Sequence, residues 1–279
     1  MLKEVYALSN GIKIPKIGFG TAPLKGDEAY QAVKDALDVG YIHIDTAQIY
    51  QNEEEVGKAI KAARIKREDV FITSKLDASI KNYDQAIHAF NGTLERLQIE
   101  YLDLYLIHAP WPWDEKFSHY DEGNVFAYKA LETLYKAGKI KAIGVSNFSV
   151  EDLENIRKNC EILPMVNQIK LHIGHPQNEI VEYCKKHNIL VEAYSPLGRS
   201  KVLNHEEIVE MAKAYNVTSA QLCVKYVLEK AILPLPRSSN KEHIINNAAV
   251  DFSISREDLK MLDTLNIDSV EFGTPRKEK

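Results

Sequence analysis

Asp45, Tyr50, Lys75 and His108 stand at or just past the ends of three apolar, strand-like runs. The runs read Tyr41-Ile42-His43-Ile44-Asp45, Val70-Phe71-Ile72-Thr73-Ser74-Lys75 and Leu102-Asp103-Leu104-Tyr105-Leu106-Ile107-His108. An acid, a phenol, an ammonium and an imidazole converging on one spot are parts for moving a proton. A free tyrosine ionises near pH ~10, too high for easy exchange near neutrality. A neighbouring ammonium favours the phenolate and is expected to lower that value. Asp45 could hold Lys75 in place, and His108 could orient a substrate oxygen. The set therefore suits protonation of a carbonyl oxygen while something else attacks its carbon. Each residue alone also has a structural reading, as a buried ion pair, a satisfied core histidine or a packed tyrosine. Their joint position at successive strand ends is what points to chemistry.

Positioning these groups requires a repeat of strands and helices. Short apolar runs, often β-branched, alternate with longer amphipathic stretches. Strands are expected near 16–20, 41–45, 69–75, 102–107, 140–145, 165–168, 189–194 and 232–235. Helices are expected near 27–39, 52–63, 82–97, 124–137, 150–159, 177–187, 206–229 and 241–249, with the long stretch broken in two near Asn216. Gly40 and Gly138 read as helix stops, Asn82 as an N-cap, and Ser149 with Asp152 as a capping box. Pro234 interrupts the eighth strand signal. A further helix follows at Arg256 to Leu265, then a polar tail.

Eight strand–helix units of this size imply parallel strands joined by right-handed crossovers, closed as a (β/α)8 TIM barrel in an α/β chain. An open doubly wound sheet would want a glycine fingerprint after its first strand, and Gly18-Phe19-Gly20 has no third glycine in place. The opening Val5-Tyr6-Ala7-Leu8 and Ile12-Lys13-Ile14, around Asn10-Gly11, read as a β-hairpin that plugs one barrel end. No linker or low-complexity run divides the chain, so 1–279 is expected to form a single domain. The other strands end at Ser146-Asn147, Asn167-Gln168, Tyr194-Ser195 and Pro236-Arg237-Ser238, all on the face where barrel active sites form.

With 279 residues, 45% hydrophobic and 27% charged, the composition is that of a globular chain with ample core. A net charge of −5, with both signs interspersed, argues against a nucleic-acid partner. No apolar run approaches membrane-spanning length. Cys160, Cys184 and Cys223 are far apart and show no metal-ligand spacing, which suits a reducing compartment. A cytoplasmic monomer is expected, with no metal and no membrane partner.

The chain resembles the aldo-keto reductase family over nearly its whole length. Gly40-Tyr41-Ile42-His43-Ile44-Asp45-Thr46-Ala47-Gln48-Ile49-Tyr50 with Asn52 to Gly57 is similar to the family's first signature. Ile143-Gly144-Val145-Ser146-Asn147-Phe148 and Ala193-Tyr194-Ser195-Pro196-Leu197-Gly198 match two more. The resemblance implies reduction of aldehydes and ketones to alcohols. Hydride comes from an extended NADPH and the proton from Tyr50, within the tetrad Asp45, Tyr50, Lys75 and His108. It further implies that Tyr194 faces the nicotinamide, that Ser146, Asn147 and Gln168 meet its carboxamide, and that Ser195, Leu197 and Gly198 wrap the pyrophosphate. Arg237 and Ser238 are implied at the 2′-phosphate, and His243 and Asn247 at the adenine.

Several positions depart from that pattern. His243 stands where the family usually has Arg, and Asn246 where it usually has an acid, so NADPH is expected and NADH stays open. Ile42 stands where an Arg is common, and Lys170 replaces the usual Glu. Ala22, Asp77 and Ala109 stand where many relatives carry Trp, and Trp111 and Trp113 are expected to supply the apolar wall of the substrate pocket from another direction. His172-Ile173-Gly174-His175 lacks the usual Pro and reads as a loop rather than a metal site. Loops 109–122, 199–204 and 268–279 shape the pocket, and the shortness of the last two points to broad selectivity. A nucleotide-binding redox-sensing or structural subunit with little turnover is the alternative from another class. A metal-dependent hydrolase on the same barrel lacks an HxH pair at its first strand.

Overall fold

In the computed structural model, residues 1–267 are described. They form the barrel: β3 (Phe19–Gly20), β4 (His43–Asp45), β5 (Phe71–Leu76), β6 (Leu102–Ile107), β7 (Ile140–Ser146), β8 (Val166–Lys170), β9 (Leu190–Tyr194) and β10 (Leu233–Leu235). All neighbours in this row run parallel, in sequence order. The row closes on itself through Gly18 N–H to Pro234 O (3.1 Å) and Gly20 N–H to Pro236 O (3.1 Å). Pro234 therefore does not end the eighth strand: it lacks an N–H, but its carbonyl accepts the closing bond. Closure needs glycine at position 18, because a Cβ there would lie 2.5 Å from Leu235 Cδ2 and 2.6 Å from His43 Nδ1.

Between the strands lie α1 (Gly26–Val39), α2 (Glu53–Ala62), α3 (Tyr83–Leu97), α4 (Asp121–Lys136), α5 (Val150–Asn159) and α6 (Asn178–Lys186). Three helices, α7 (Arg199–Leu203), α8 (Glu206–Ala214) and α9 (Ser219–Glu229), separate β9 from β10, and α10 (Lys241–Ala248) and α11 (Arg256–Thr264) follow. The expected break near Asn216 is present, with Asn216 at φ 56° between α8 and α9. The stretch 199–204, expected as a loop, is mostly the short helix α7. α4 starts three residues earlier than its periodicity indicated.

Local signals were realised as hydrogen bonds. Asn82 accepts from the N–H groups of Asp84 and Gln85, and Ser149 and Asp152 form a reciprocal capping box at α5. Gly40 ends α1 in the left-handed conformation, φ 108°. The hairpin of β1 (Val5–Ala7) and β2 (Lys13–Pro15) is antiparallel. Its tip is tied to the amino-terminal end of β7 by Asn10 Nδ2 donating to Lys141 O at 2.9 Å. With Leu8 and Ile14 buried, the hairpin covers the barrel end opposite the catalytic candidates. One apolar cluster runs from Leu8 to Ile267. Among the described residues no helix is long and apolar enough to cross a membrane, and Cys160, Cys184 and Cys223 are all free thiols. The expected polar tail and pocket loop 268–279 lie outside the described residues.

Candidate active site

Adjacent parallel strands bring the four proton-handling candidates together. Asp45 ends β4, Lys75 lies one residue before the end of β5, and His108 directly follows β6. A 3-10 turn, Gln48–Tyr50, folds Tyr50 back over the same end of the barrel. Lys75 Nζ donates to Asp45 Oδ1 at 2.6 Å and to Thr46 O at 2.8 Å. The Tyr50 hydroxyl lies 3.5 Å from Lys75 Nζ and 3.4 Å from His108 Nε2. These are long contacts, of the kind that tighten when a reactant is bound.

The electrostatics assign protonation states. Burial pulls the Lys75 ammonium down, but Asp45, Tyr50 and Glu192 together hold it above its ordinary range. His108 is held well below the usual histidine value, first by burial and then by Lys75, so its imidazole is neutral. The ammonium was expected to lower Tyr50, yet the net direction is upward, because burial of the hydroxyl outweighs Lys75. Tyr50 therefore holds its proton firmly near neutrality, as an acid must until a developing oxyanion takes it.

A cavity of about 840 Å³ opens at this end of the barrel. Its lining includes Asp45, Tyr50 and His108, then Trp111, Trp113, Ser146, Asn147, Gln168, Tyr194, Ser195, Leu197, Gly198 and Arg237. Ser238, His243 and Asn247 are not in the lining: Ser238 precedes α10, with its Oγ accepting from Asn240 N–H, while exposed His243 and buried Asn247 sit on that helix. Trp111 and Trp113 meet edge to face at 5.4 Å, and Trp113 meets the His108 ring the same way at 5.3 Å. Lys81 secures the loop that carries them, donating to Ala109 O and to Asn124 Oδ1. Burial lowers its ammonium to about 7.

The opposite wall is tied together by short polar contacts. Ser146 Oγ donates to the Gln168 main-chain oxygen (2.9 Å), Asn147 Nδ2 to His108 O (3.0 Å), and the Tyr194 hydroxyl to Asn147 Oδ1 (2.8 Å). Ser195 and Gly198 both have left-handed backbones, and a Cβ at Gly198 would lie 2.1 Å from Val202 Cγ2. Gln168 Nε2 donates to Asp45 Oδ2 (2.9 Å) and to Glu192 Oε2 (2.8 Å).

Glu192 was missed in the sequence, as was His43, which is buried with Nε2 2.9 Å from Thr73 Oγ1. A signal existed for both. Strand side chains alternate between faces, so Glu192 shares a face with Tyr194, and His43 shares one with Asp45. The lining suits a long anionic group with an aromatic amide end. Tyr194 and Gln168 lie beside the tetrad, and the cations of Lys201 and Arg237 line the same space.

Residues 16–267 match the Aldo/keto reductase family. Among curated proteins, the glyoxal reductase of Bacillus subtilis is 43% identical over 269 residues, covering 96% of this chain and 94% of that protein. The aldehyde reductase of Saccharomyces cerevisiae is 37% identical, over 93% of this chain and 89% of that one. Among solved structures, the Bombyx mori aldo-keto reductase in complex with NADP aligns with a TM-score of 0.86 at 30% identity, covering 94% of this chain and 92% of that one. A parallel eight-stranded barrel, four candidate residues gathered at its carboxyl end and these likenesses agree: the chain belongs to the aldo/keto reductase family.

Proposed function

We propose that this protein reduces aldehydes and ketones to alcohols with NADPH, Tyr50 giving the proton. The bound nicotinamide supplies the hydride. The observation that carries the reading is the Tyr50 hydroxyl, poised between Lys75 Nζ at 3.5 Å and neutral His108 at 3.4 Å, at the wall of the cavity. A carbonyl oxygen within reach of Tyr50 gains its hydroxyl as donor, and the Nε2–H tautomer of neutral His108 would add a second. As negative charge grows on that oxygen, Tyr50 transfers its proton, and the Lys75 ammonium, held by Asp45, stabilises the phenolate left behind. Trp111 and Trp113 give the substrate an apolar wall, while Ser146, Asn147 and Gln168 receive the carboxamide end of the cofactor beside Tyr194. Ser195, Leu197 and Gly198 are proposed at the pyrophosphate, and Arg237, Ser238, His243 and Asn247 at the adenosine end.

Tyr50→Phe is the direct test. We expect kcat for a generic aldehyde to fall by about 100-fold or more, with NADPH still bound. A variant that turned over at the parental rate would sink the assignment. A parental protein that bound NADPH but oxidised none across an aldehyde panel would favour the redox-sensing alternative instead. Because a B. subtilis relative is named a glyoxal reductase, small dicarbonyls belong in that panel. The single-domain, monomeric and cytoplasmic readings remain part of the proposal. The first is supported by one continuous apolar core and the last by cysteines that are free among the described residues.

A further inference from the structure

Behind Gln168, outside the lining of the cavity, lies a carboxyl group with no direct part in the proton transfer. Glu192 lies on β9 with its side chain inside the barrel, fully buried, between Gln168 on β8 and Leu233 on β10. A charged residue type at such a depth is costly unless it is bonded or neutral. Its Oε2 accepts from Gln168 Nε2 at 2.8 Å, while its Oε1 has no partner among the described residues. The same Gln168 nitrogen donates its other hydrogen to Asp45 Oδ2 at 2.9 Å.

An amide nitrogen has two hydrogens, and here both are taken. Turning the amide over would point its oxygen at the Asp45 carboxylate, which opposes that orientation. What remains of Gln168 for the cavity it lines is the oxygen Oε1, which no donor among the described residues reaches. We propose that Glu192 is a positioning residue for the cofactor: with Asp45 it locks the Gln168 amide, so that the nicotinamide carboxamide is met there by an acceptor alone. This rests on the NADPH reading above. A bound carboxamide would then turn its NH2 toward Gln168, beside the Tyr194 ring. Without Glu192, one Gln168 hydrogen loses its acceptor and the amide is free to rotate.

The charge balance supports this arrangement. Burial, and then the charge of Asp45, push the Glu192 carboxyl up to about 8, while the Gln168 hydrogen bond and Lys75 act in the opposite direction. The ionisable groups facing it are thus Asp45 from β4 and Lys75 from β5; its strand neighbours contribute only Gln168 and Leu233. Near neutrality Glu192 keeps its proton. Gln168 then bridges one carboxylate and one carboxylic acid rather than two repelling anions.

The test is a double-mutant cycle read by NADPH dissociation constants from fluorescence titration, using parental protein, Glu192→Gln, Glu192→Leu, Gln168→Leu and the double Leu variant. Glu192→Gln keeps an acceptor for Gln168 and should bind within about twofold of parental, whereas Glu192→Leu should bind about tenfold more weakly. In the Gln168→Leu background, Glu192→Leu should cost nothing further, because its only route to the cofactor is gone. If Glu192→Leu does not fold, Glu192→Ala takes its place in the cycle. Parental affinity in the Leu or Ala variant would overturn the proposal. So would a loss that persists undiminished in the Gln168→Leu background, since that is general damage to the barrel. Parental protein that bound no NADPH would overturn the cofactor reading itself, and is thus distinguishable from a failure of the Glu192 role alone.

Discussion

The ionisation of Glu192 is also coupled to stability. Its carboxyl rises from 4.5 to about 8 on folding. Between those values the folded state holds a proton that the unfolded state has released. Its stabilising contribution is therefore complete below about pH 4.5 and is lost as pH rises through about 8. Glu192→Gln cannot lose a proton, so its melting temperature should gain on the parental one as pH is raised from 5 to 9. Parallel pH dependences in the two proteins would contradict this. His43 behaves in the opposite sense: burial, then Lys75, hold it near about 3, so its contribution is lost as pH falls below 6.5 toward that value. The set of four candidates was legible in sequence because each stands at or just past a strand end. Its energetics were not. Whether Tyr50 moves up or down depends on burial set against an ammonium 3.5 Å away, and that balance exists only in the folded chain.

Elements that carry their own boundary signals were read well. The caps at Asn82 and Ser149 satisfy helix N–H groups from within two or three residues, so sequence alone contains the bond. Elements defined by distant partners were read less well. α7 has five residues and no strong local signal, and its span was taken for a loop. Pro234 argued against a strand locally, yet β10 is held by Ala193 on one side and Gly18 on the other. Gln168 is joined to Asp45 across 123 residues of chain, a distance no spacing rule reveals. The closing seam makes its own prediction. Gly18→Val would force side-chain atoms into Leu235 and His43, and we expect a loss of about 1–3 kcal/mol in chemical unfolding. Unchanged stability would mean that the seam can open to accept a side chain.

At the scale of the whole molecule, a chain of net charge −5 places the cations Lys201 and Arg237 on the wall of the cavity that holds the candidate site. Such local focusing favours an anionic cofactor despite the overall sign. Arg237→Ala should weaken NADPH binding by about tenfold, as expected when a charged hydrogen bond is lost, and leave NADH binding within about twofold. Equal losses for both nucleotides would place Arg237 away from the 2′-phosphate. Of the residues proposed at the adenosine end, Arg237 lines the cavity, while Ser238, His243 and Asn247 lie on α10 and its approach. The seam between Gly18 and Pro234 carries a last consequence, for synthesis. The first barrel strand must wait for roughly two hundred more residues to be made before its outer edge is covered. Arg237 emerges from the ribosome just after the segment that covers it. A nascent chain shorter than this presents an open sheet edge, the kind of surface on which unfinished chains aggregate.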